Sequence, residues 1–153
     1  MDALLVREAK PEDCLALARW RHQLWADSSV EEHAAELARF LAGEALSTLP
    51  SVILVAETQN DIVGFAEAGL RSHADGCDAT RPVGYLEGWY VAPDWRGRKV
   101  GARLLAEAEA WARAQGCREM ASDTWADNKD SQLAHEALGF EVVDRCVNYR
   151  KTL

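Results

Sequence analysis

The chain has 153 residues, of which 48% are hydrophobic and 27% charged, ordinary values for a globular protein. That length suits one domain and buries roughly 68–70% of the unfolded surface, enough for a core without staples. Lys and Arg number 17 against 25 Asp and Glu, a net charge of −8. Nucleic acid calls for a basic footprint and anionic membranes attract basic segments, so neither partner is expected.

The longest apolar run, Val52–Ala56, is far short of the roughly 20 residues that span a bilayer. The opening MDALLVREAKPED has no basic stretch followed by a long apolar segment, so no secretory leader is expected and a cytoplasmic location is the default. Cys14, Cys77, Cys117 and Cys146 are widely and irregularly spaced and read as reduced packing positions. There is no HExxH or CxxC pair, so no metal centre is expected. There is no GxSxG elbow and no Cys/His signature for a covalent nucleophile.

In chain order, Leu4–Glu8 reads as a first strand. Pro11 opens a helix, with Glu12 and Asp13 near its positive end and Cys14, Leu17, Ala18, Leu24 and Trp25 at helical spacing. A second helix runs from Val30 to about Leu41. Val52–Ala56 and Ile62–Ala66 flank a Gln59–Asn60–Asp61 turn and predict a hairpin. A polar loop from Ser72 to about Val83 follows, then a strand over Tyr85–Val91. Val100, Leu104, Leu105, Ala108, Trp111 and Ala112 stripe a helix that ends near Gly116. Arg118–Thr124 is a short strand, Leu133–Leu138 a helix stopped by Gly139, and Phe140–Lys151 a closing strand or strand pair. The order β-α-α-β-β-β-α-β-α-β predicts an α/β (mixed α+β) fold, a sheet covered by helices, in a single domain over 1–153.

The chemistry concentrates in Tyr85–Leu105, YLEGWYVAPDWRGRKVGARLL. A strand ends at Ala92, a loop carries Gly97, and a helix starts near Val100. A helix N-terminus presents unpaired N–H groups and positive potential, and Arg96, Arg98 and Lys99 add cations. This arrangement suits a pyrophosphate; the alternative is a solvated basic turn.

Here the sequence resembles the GNAT N-acetyltransferases. Arg96-Gly97-Arg98-Lys99-Val100-Gly101 is similar to the acetyl-CoA signature Q/R-x-x-G-x-G/A, with Arg96 and Gly101 matching and Lys99 in place of the inner glycine. The element order fits the family over nearly the whole chain, and NKDSQLAHEALGF resembles its later helix. RHQLW, DGCD, LEGWYV, CREMASDT and ALGF, between Arg21 and Phe140, resemble the aminoglycoside 6'-N-acetyltransferase branch. The resemblance implies a mostly antiparallel sheet in which the Tyr85–Val91 strand splays from Arg118–Thr124. Acetyl-CoA would fill that gap. Its pantetheine arm would pair with the backbone of Trp89, Tyr90 and Val91, and its pyrophosphate would meet Arg96, Gly97, Arg98, Lys99, Val100, Gly101 and Ala102.

Gly88 interrupts its strand, as at a bulge or a close backbone approach; the alternative is a packing glycine under a bulky neighbour. A free N–H there would stabilise charge on the thioester oxygen. Glu87 should face opposite to Leu86 and Gly88. A carboxylate inside a central strand is costly unless it is hydrogen-bonded or faces a wet cleft. Glu87 therefore reads as the group that holds the substrate ammonium and removes its proton through water, its pKa raised by burial; the alternative is a structural ion pair. The resemblance implies that Asp123 is a second carboxylate on the acceptor (otherwise a cap or turn residue). It further implies that Trp25 walls the sugar (otherwise core) and that His73 and Asp144 touch it. Asn128 either contacts pantetheine or caps its helix. His135 stands where relatives place a proton-donating Tyr, with Tyr149 a second candidate and a packing role the alternative. Direct attack of the amine is expected. A protein terminus, lysine or polyamine is an alternative acceptor, and an acyl-CoA sensor without turnover is the alternative class. Relatives of this branch are often homodimers that exchange C-terminal strands, and Glu141–Leu153 is long enough to permit that.

Overall fold

The computed structural model describes residues 3–59 and 61–153. Met1, Asp2 and Asn60 lie outside the described residues, and with Asn60 the centre of the expected turn. Strand β1 (Leu5–Glu8) leads through a 3-10 turn at Pro11–Asp13 into helix α1 (Cys14–Leu24). Pro11 thus opens the turn that feeds the helix, and Trp25 falls just past the helix end. Helix α2 (Val30–Leu41) starts at a capping box: the Glu32 amide donates to Ser29 Oγ at 3.1 Å, and the Ser29 amide donates to Glu32 Oε2 at 3.3 Å. Strands β2 (Ser51–Thr58), β3 (Asp61–Arg71) and β4 (Val83–Val91) form an antiparallel meander. Helix α3 (Val100–Ala114), strand β5 (Met120–Ser122) and helix α4 (Lys129–Ala137) complete the order.

The sheet runs β1-β2-β3-β4-β5, antiparallel except for the parallel β4–β5 pair. Its two faces bury separate clusters. Leu17, Leu37, Ile53, Val55 and Phe65 fill the side under α1 and α2, while Leu86, Val100, Leu104, Leu105 and Ala108 fill the side under α3. Each such side chain contributes about 1.5–3 kcal/mol by leaving water.

Strand β3 passes the expected end at Ala66 and runs to Arg71. Glu67 looks like a strand breaker, but its carboxylate is met from across the core by Arg21 Nε at 2.5 Å and Nη2 at 2.9 Å. Strand β5 is shorter than the expected Arg118–Thr124, because its ladder stops where β4 bulges. The expected closing strand over Phe140–Lys151 does not form. Residues 141–153 are all exposed and no described strand pairs with them. Val143 leans on Gly76, where a Cβ would have no room.

Candidate active site

The site is built where β4 and β5 part. Their parallel pairing covers Gly84–Met120, Tyr85–Ala121 and Leu86–Ser122 and then ends. Beyond it, Gly88–Val91 stays paired to β3 but has no described pairing to β5. The cause is a bulge: Glu67 pairs with Gly88 and Ala68 with Leu86, so Glu87 is the extra residue. The bulge also breaks alternation. Leu86 packs under α3, whereas Gly88 faces α1, where a Cβ would overlap the Trp25 indole. Both sequence readings of Gly88 therefore hold. The expectation that Glu87 faces away from Gly88 does not, because the inserted residue shifts the register of faces.

Glu87 is exposed, not buried as expected. Arg71, the last residue of β3, grips it bidentately: Nε donates to Oε1 at 2.9 Å and Nη2 to Oε2 at 2.8 Å. The Arg71 guanidinium lies 3.5 Å above the Tyr85 ring. Burial, and next the Asp123 carboxylate, push the Tyr85 phenol up. The charge of Asp123, just past β5, also reaches Arg71. A cavity of about 260 Å³ opens beside this group, lined by Leu46, Ser47, Pro50, Glu67, Arg71 and Glu87 among others. Its second carboxylate, Glu67, is buried and held by Arg21. Arg21 also reaches Glu36 Oε2 at 2.9 Å and lies 5.7 Å from the Trp25 ring centroid. Trp25 is half-buried, edge-on to Phe65 with centroids 6.2 Å apart, and its carbonyl meets His33 Nε2 at 3.0 Å.

On the other side of the opening, the 3-10 turn Pro93–Trp95 leads into the α3 N-terminus. Gly97 (φ +74°) and Lys99 (φ +63°) are both left-handed. Lys99 is the N-cap and supplies no side-chain cap, so the amides of Val100, Gly101 and Ala102 carry the donor potential of an uncapped helix start. Arg96, Arg98 and Lys99 are exposed around it. Arg96 Nε donates to the Val91 carbonyl at 3.0 Å, and Arg98 sits 4.9 Å from the Trp95 ring centroid. Trp89 Nε1 donates to the Gly101 carbonyl at 3.0 Å, locking β4 to α3. This donor set fits the pyrophosphate of a CoA thioester: main-chain amides, three exposed cations and no carboxylate among Arg96–Ala102.

At the apex, Ser122 Oγ lies 3.2 Å from the Leu86 carbonyl and 2.8 Å from His135 Nε2. His135 Nδ1 donates to the Ser131 carbonyl at 2.7 Å, and Nε2 lies against Ser122 Oγ. The ring is wedged edge-on between Trp89 and Phe140, with centroids at 5.4 and 5.2 Å. Asn128 caps α4, its Oδ1 accepting from the Ser131 amide at 3.1 Å. Three expected residues lie outside this grouping. His73 is exposed and bonds Ser72 Oγ at 3.1 Å; Asp144 and Tyr149 stand on the exposed C-terminal segment.

Residues 16–140 match the acetyltransferase (GNAT) family. The chain belongs to the GNAT family. Among its relatives, an aminoglycoside N(6')-acetyltransferase type 1 of Stenotrophomonas maltophilia is 41% identical over 149 residues, 97% of this chain and 93% of the relative. One from Klebsiella aerogenes is 40% identical over 150 residues, 97% of each chain. The solved aminoglycoside N-acetyltransferase AAC(6')-Iy in complex with CoA superposes with a TM-score of 0.87 at 34% identity, covering 100% of this chain and 97% of that one. The same enzyme with a bisubstrate analogue, CoA-S-monomethyl-acetylneamine, gives 0.85 at 34% identity, covering 99% of each. The mixed sheet with its parted β4 and β5 is thus the GNAT fold.

Within this GNAT site, sequence reasoning missed Arg71, Tyr85, Glu67, Arg21 and Ser122. A signal existed for two of them: Glu67 in an apolar strand and Arg21 on an apolar helix face are opposite charges that burial forces together. Arg71 and Ser122 had none, because cross-strand partners depend on register.

Proposed function

We propose that this chain transfers the acetyl group of acetyl-CoA to the 6'-amine of an aminoglycoside by direct attack within a ternary complex. One observation carries the reading: β4 and β5 part beside a carboxylate, Glu87, and open toward an uncapped helix start ringed by cations. The extent and identity of the aminoglycoside relatives support the acceptor class.

Acetyl-CoA supplies the acyl group as a thioester. The open edge of Trp89–Val91 would hold pantetheine, and the Val100–Ala102 amides with Arg96, Arg98 and Lys99 would hold the pyrophosphate. A backbone N–H freed at the bulge would donate to the carbonyl oxygen as charge develops; one such donor is typically worth about 10²–10³ in rate. Glu87 would pair with the acceptor ammonium and take its proton through water, leaving a neutral nucleophile. Asp123 would meet a second ammonium, and Trp25 would wall the sugar. Doubly protonated, His135 would keep Nδ1–H on the Ser131 carbonyl and give its Nε2 proton to the departing thiolate; Tyr149 lies on the exposed C-terminal segment and is not assigned this step. Asn128 would serve pantetheine through its carbonyl while capping α4. His73 and Asp144 would contact the antibiotic from the exposed segments that carry them.

The 1–153 chain would act as one catalytic unit, in the cytoplasm where acetyl-CoA is made and its four free cysteines stay reduced. We further propose a homodimer in which the 141–153 arm of each copy covers the other. Thiol release from acetyl-CoA with an aminoglycoside panel, followed by product NMR, tests the activity. Acetylation at the 6'-amine is the expected result. Turnover with only peptides or polyamines would move the acceptor class, and CoA binding without turnover would make the protein a sensor.

A further inference from the structure

We infer that Arg71 is a resident counter-cation of the acceptor site, a specificity-determining residue whose guanidinium competes with an incoming ammonium for Glu87. This rests on the acceptor reading above and adds to it a built-in competitor.

The geometry of the ion pair carries the argument. Each Glu87 oxygen already accepts from Arg71, at 2.9 and 2.8 Å, so an ammonium either takes an outer lone pair beside a resident cation or opens the pair. The pair is nevertheless exchangeable, because the Arg71 and Glu87 side chains are 46% and 40% exposed. Water can screen both ions as they separate. Compare the second carboxylate in the same cavity. Glu67 is held by Arg21, and those side chains are 10% and 4% exposed. Separating that pair would strand a charge in the core. Of the two carboxylates lining one cavity, Glu67 is permanently neutralised and only Glu87 has a partner that can leave.

Tyr85 gives the displaced cation somewhere to stay. The guanidinium already stacks on its ring at 3.5 Å, an attraction that does not require Glu87, and Asp123 is near enough to act on it. Arg71 can therefore release Glu87 without entering bulk water. The exchange replaces one cation by another, so an acceptor gains little from Glu87 alone. It must bring further contacts, which favours multiply charged ligands over simple amines.

The test is calorimetric titration of an aminoglycoside into the CoA-bound protein, beside steady-state kinetics. An exposed pair of this kind is worth about 1 kcal/mol, which is about fivefold in affinity. Arg71→Ala should therefore tighten aminoglycoside binding and lower its KM about fivefold, steepen their salt dependence, and leave the KM for acetyl-CoA unchanged. Arg71→Lys, which keeps the charge but loses the fork, should fall between Arg71→Ala and the wild type, and it serves if the alanine variant fails to fold. In a Glu87→Gln background, Arg71→Ala should no longer tighten binding. A folded Arg71 variant that binds the aminoglycoside as well as or less well than wild type overturns the inference while wild-type turnover leaves the functional reading standing. A wild-type protein that acetylates no aminoglycoside overturns both.

Discussion

Two residues of the wedge make separable predictions. Glu87 sits at the bulge with its carboxylate toward the cavity, so Glu87→Gln keeps the shape and removes the charge. Loss of a positioned general base typically costs about 10²–10⁴ in rate. We expect kcat to fall at least about 10²-fold while calorimetry finds coenzyme A binding unchanged; an unaltered kcat removes Glu87 from proton transfer. Lys99 tests the other side of the wedge. Its φ of +63° costs a side-chain-bearing residue about 1–2 kcal/mol, partly offset in Lys99→Gly by the added freedom of the unfolded glycine chain. Lys99→Gly should therefore raise stability in urea unfolding by about 0.5 kcal/mol or more. It should also weaken coenzyme A about fivefold through the lost cation. These effects have opposite signs, which isolates the side chain from the turn. If coenzyme A binding is unaffected, Lys99 is only a strained cap.

At the level of elements, the junction of β1, β2 and α1 depends on one carboxylate. Burial alone would raise the Asp13 pKa, but the Arg7 guanidinium, at 2.7 and 3.0 Å, and the Lys10 amide, at 2.7 Å, hold it below the ordinary value. A depressed carboxyl stabilises the fold above its unfolded pKa of about 4 and loses that contribution as pH falls through the folded value. Asp13→Asn should therefore cost about 2 kcal/mol at neutral pH. The gap to wild type should close under acid, as followed by urea unfolding across pH; a gap independent of pH would mean the charge does not matter. Elements set by local pattern were legible in the sequence. The α3 stripe, the glycines and cations of its entry turn, and the helix stop at Gly139 all depend on neighbours in sequence. Glu87 was legible for a related reason, since a carboxylate among Leu86, Gly88 and Trp89 demands an explanation. Features set by register were not. The bulge exists because Glu67 meets Gly88 while Ala68 meets Leu86, and nothing in either strand alone dictates that offset. From the same offset follow the face on which Glu87 stands, its grip by Arg71, and the early end of β5. The strand expected over 140–151 fails for another reason: its β-rich composition is real, but a strand needs a ladder partner, and no described strand pairs with it.

That unsatisfied segment governs the molecule as a whole. Val142, Val143, Val147, Tyr149 and Leu153 are all exposed on it, and Trp125 and Leu133 are exposed nearby in sequence around α4. Exposed apolar surface of this density marks an interaction site. β5 ends the sheet order, so its outer edge has no strand partner among the described residues. Bare strand edges invite pairing, and a fully extended arm of this length reaches about 40 Å. On the proposed homodimer, a second copy would meet both needs at once, since a two-fold pair can lay each arm on the other's surface with the same contacts made twice. Light scattering should then give a mass near twice the 16.9 kDa of one chain, and truncation after Phe140 should leave a monomer that unfolds at lower denaturant. The truncated protein should still bind coenzyme A, because Trp89–Val91 and the α3 start lie in one chain. Its aminoglycoside KM should rise if Asp144 serves the acceptor site from the arm. A wild-type mass of one chain at every concentration would remove the dimer and assign the exposed arm to another partner.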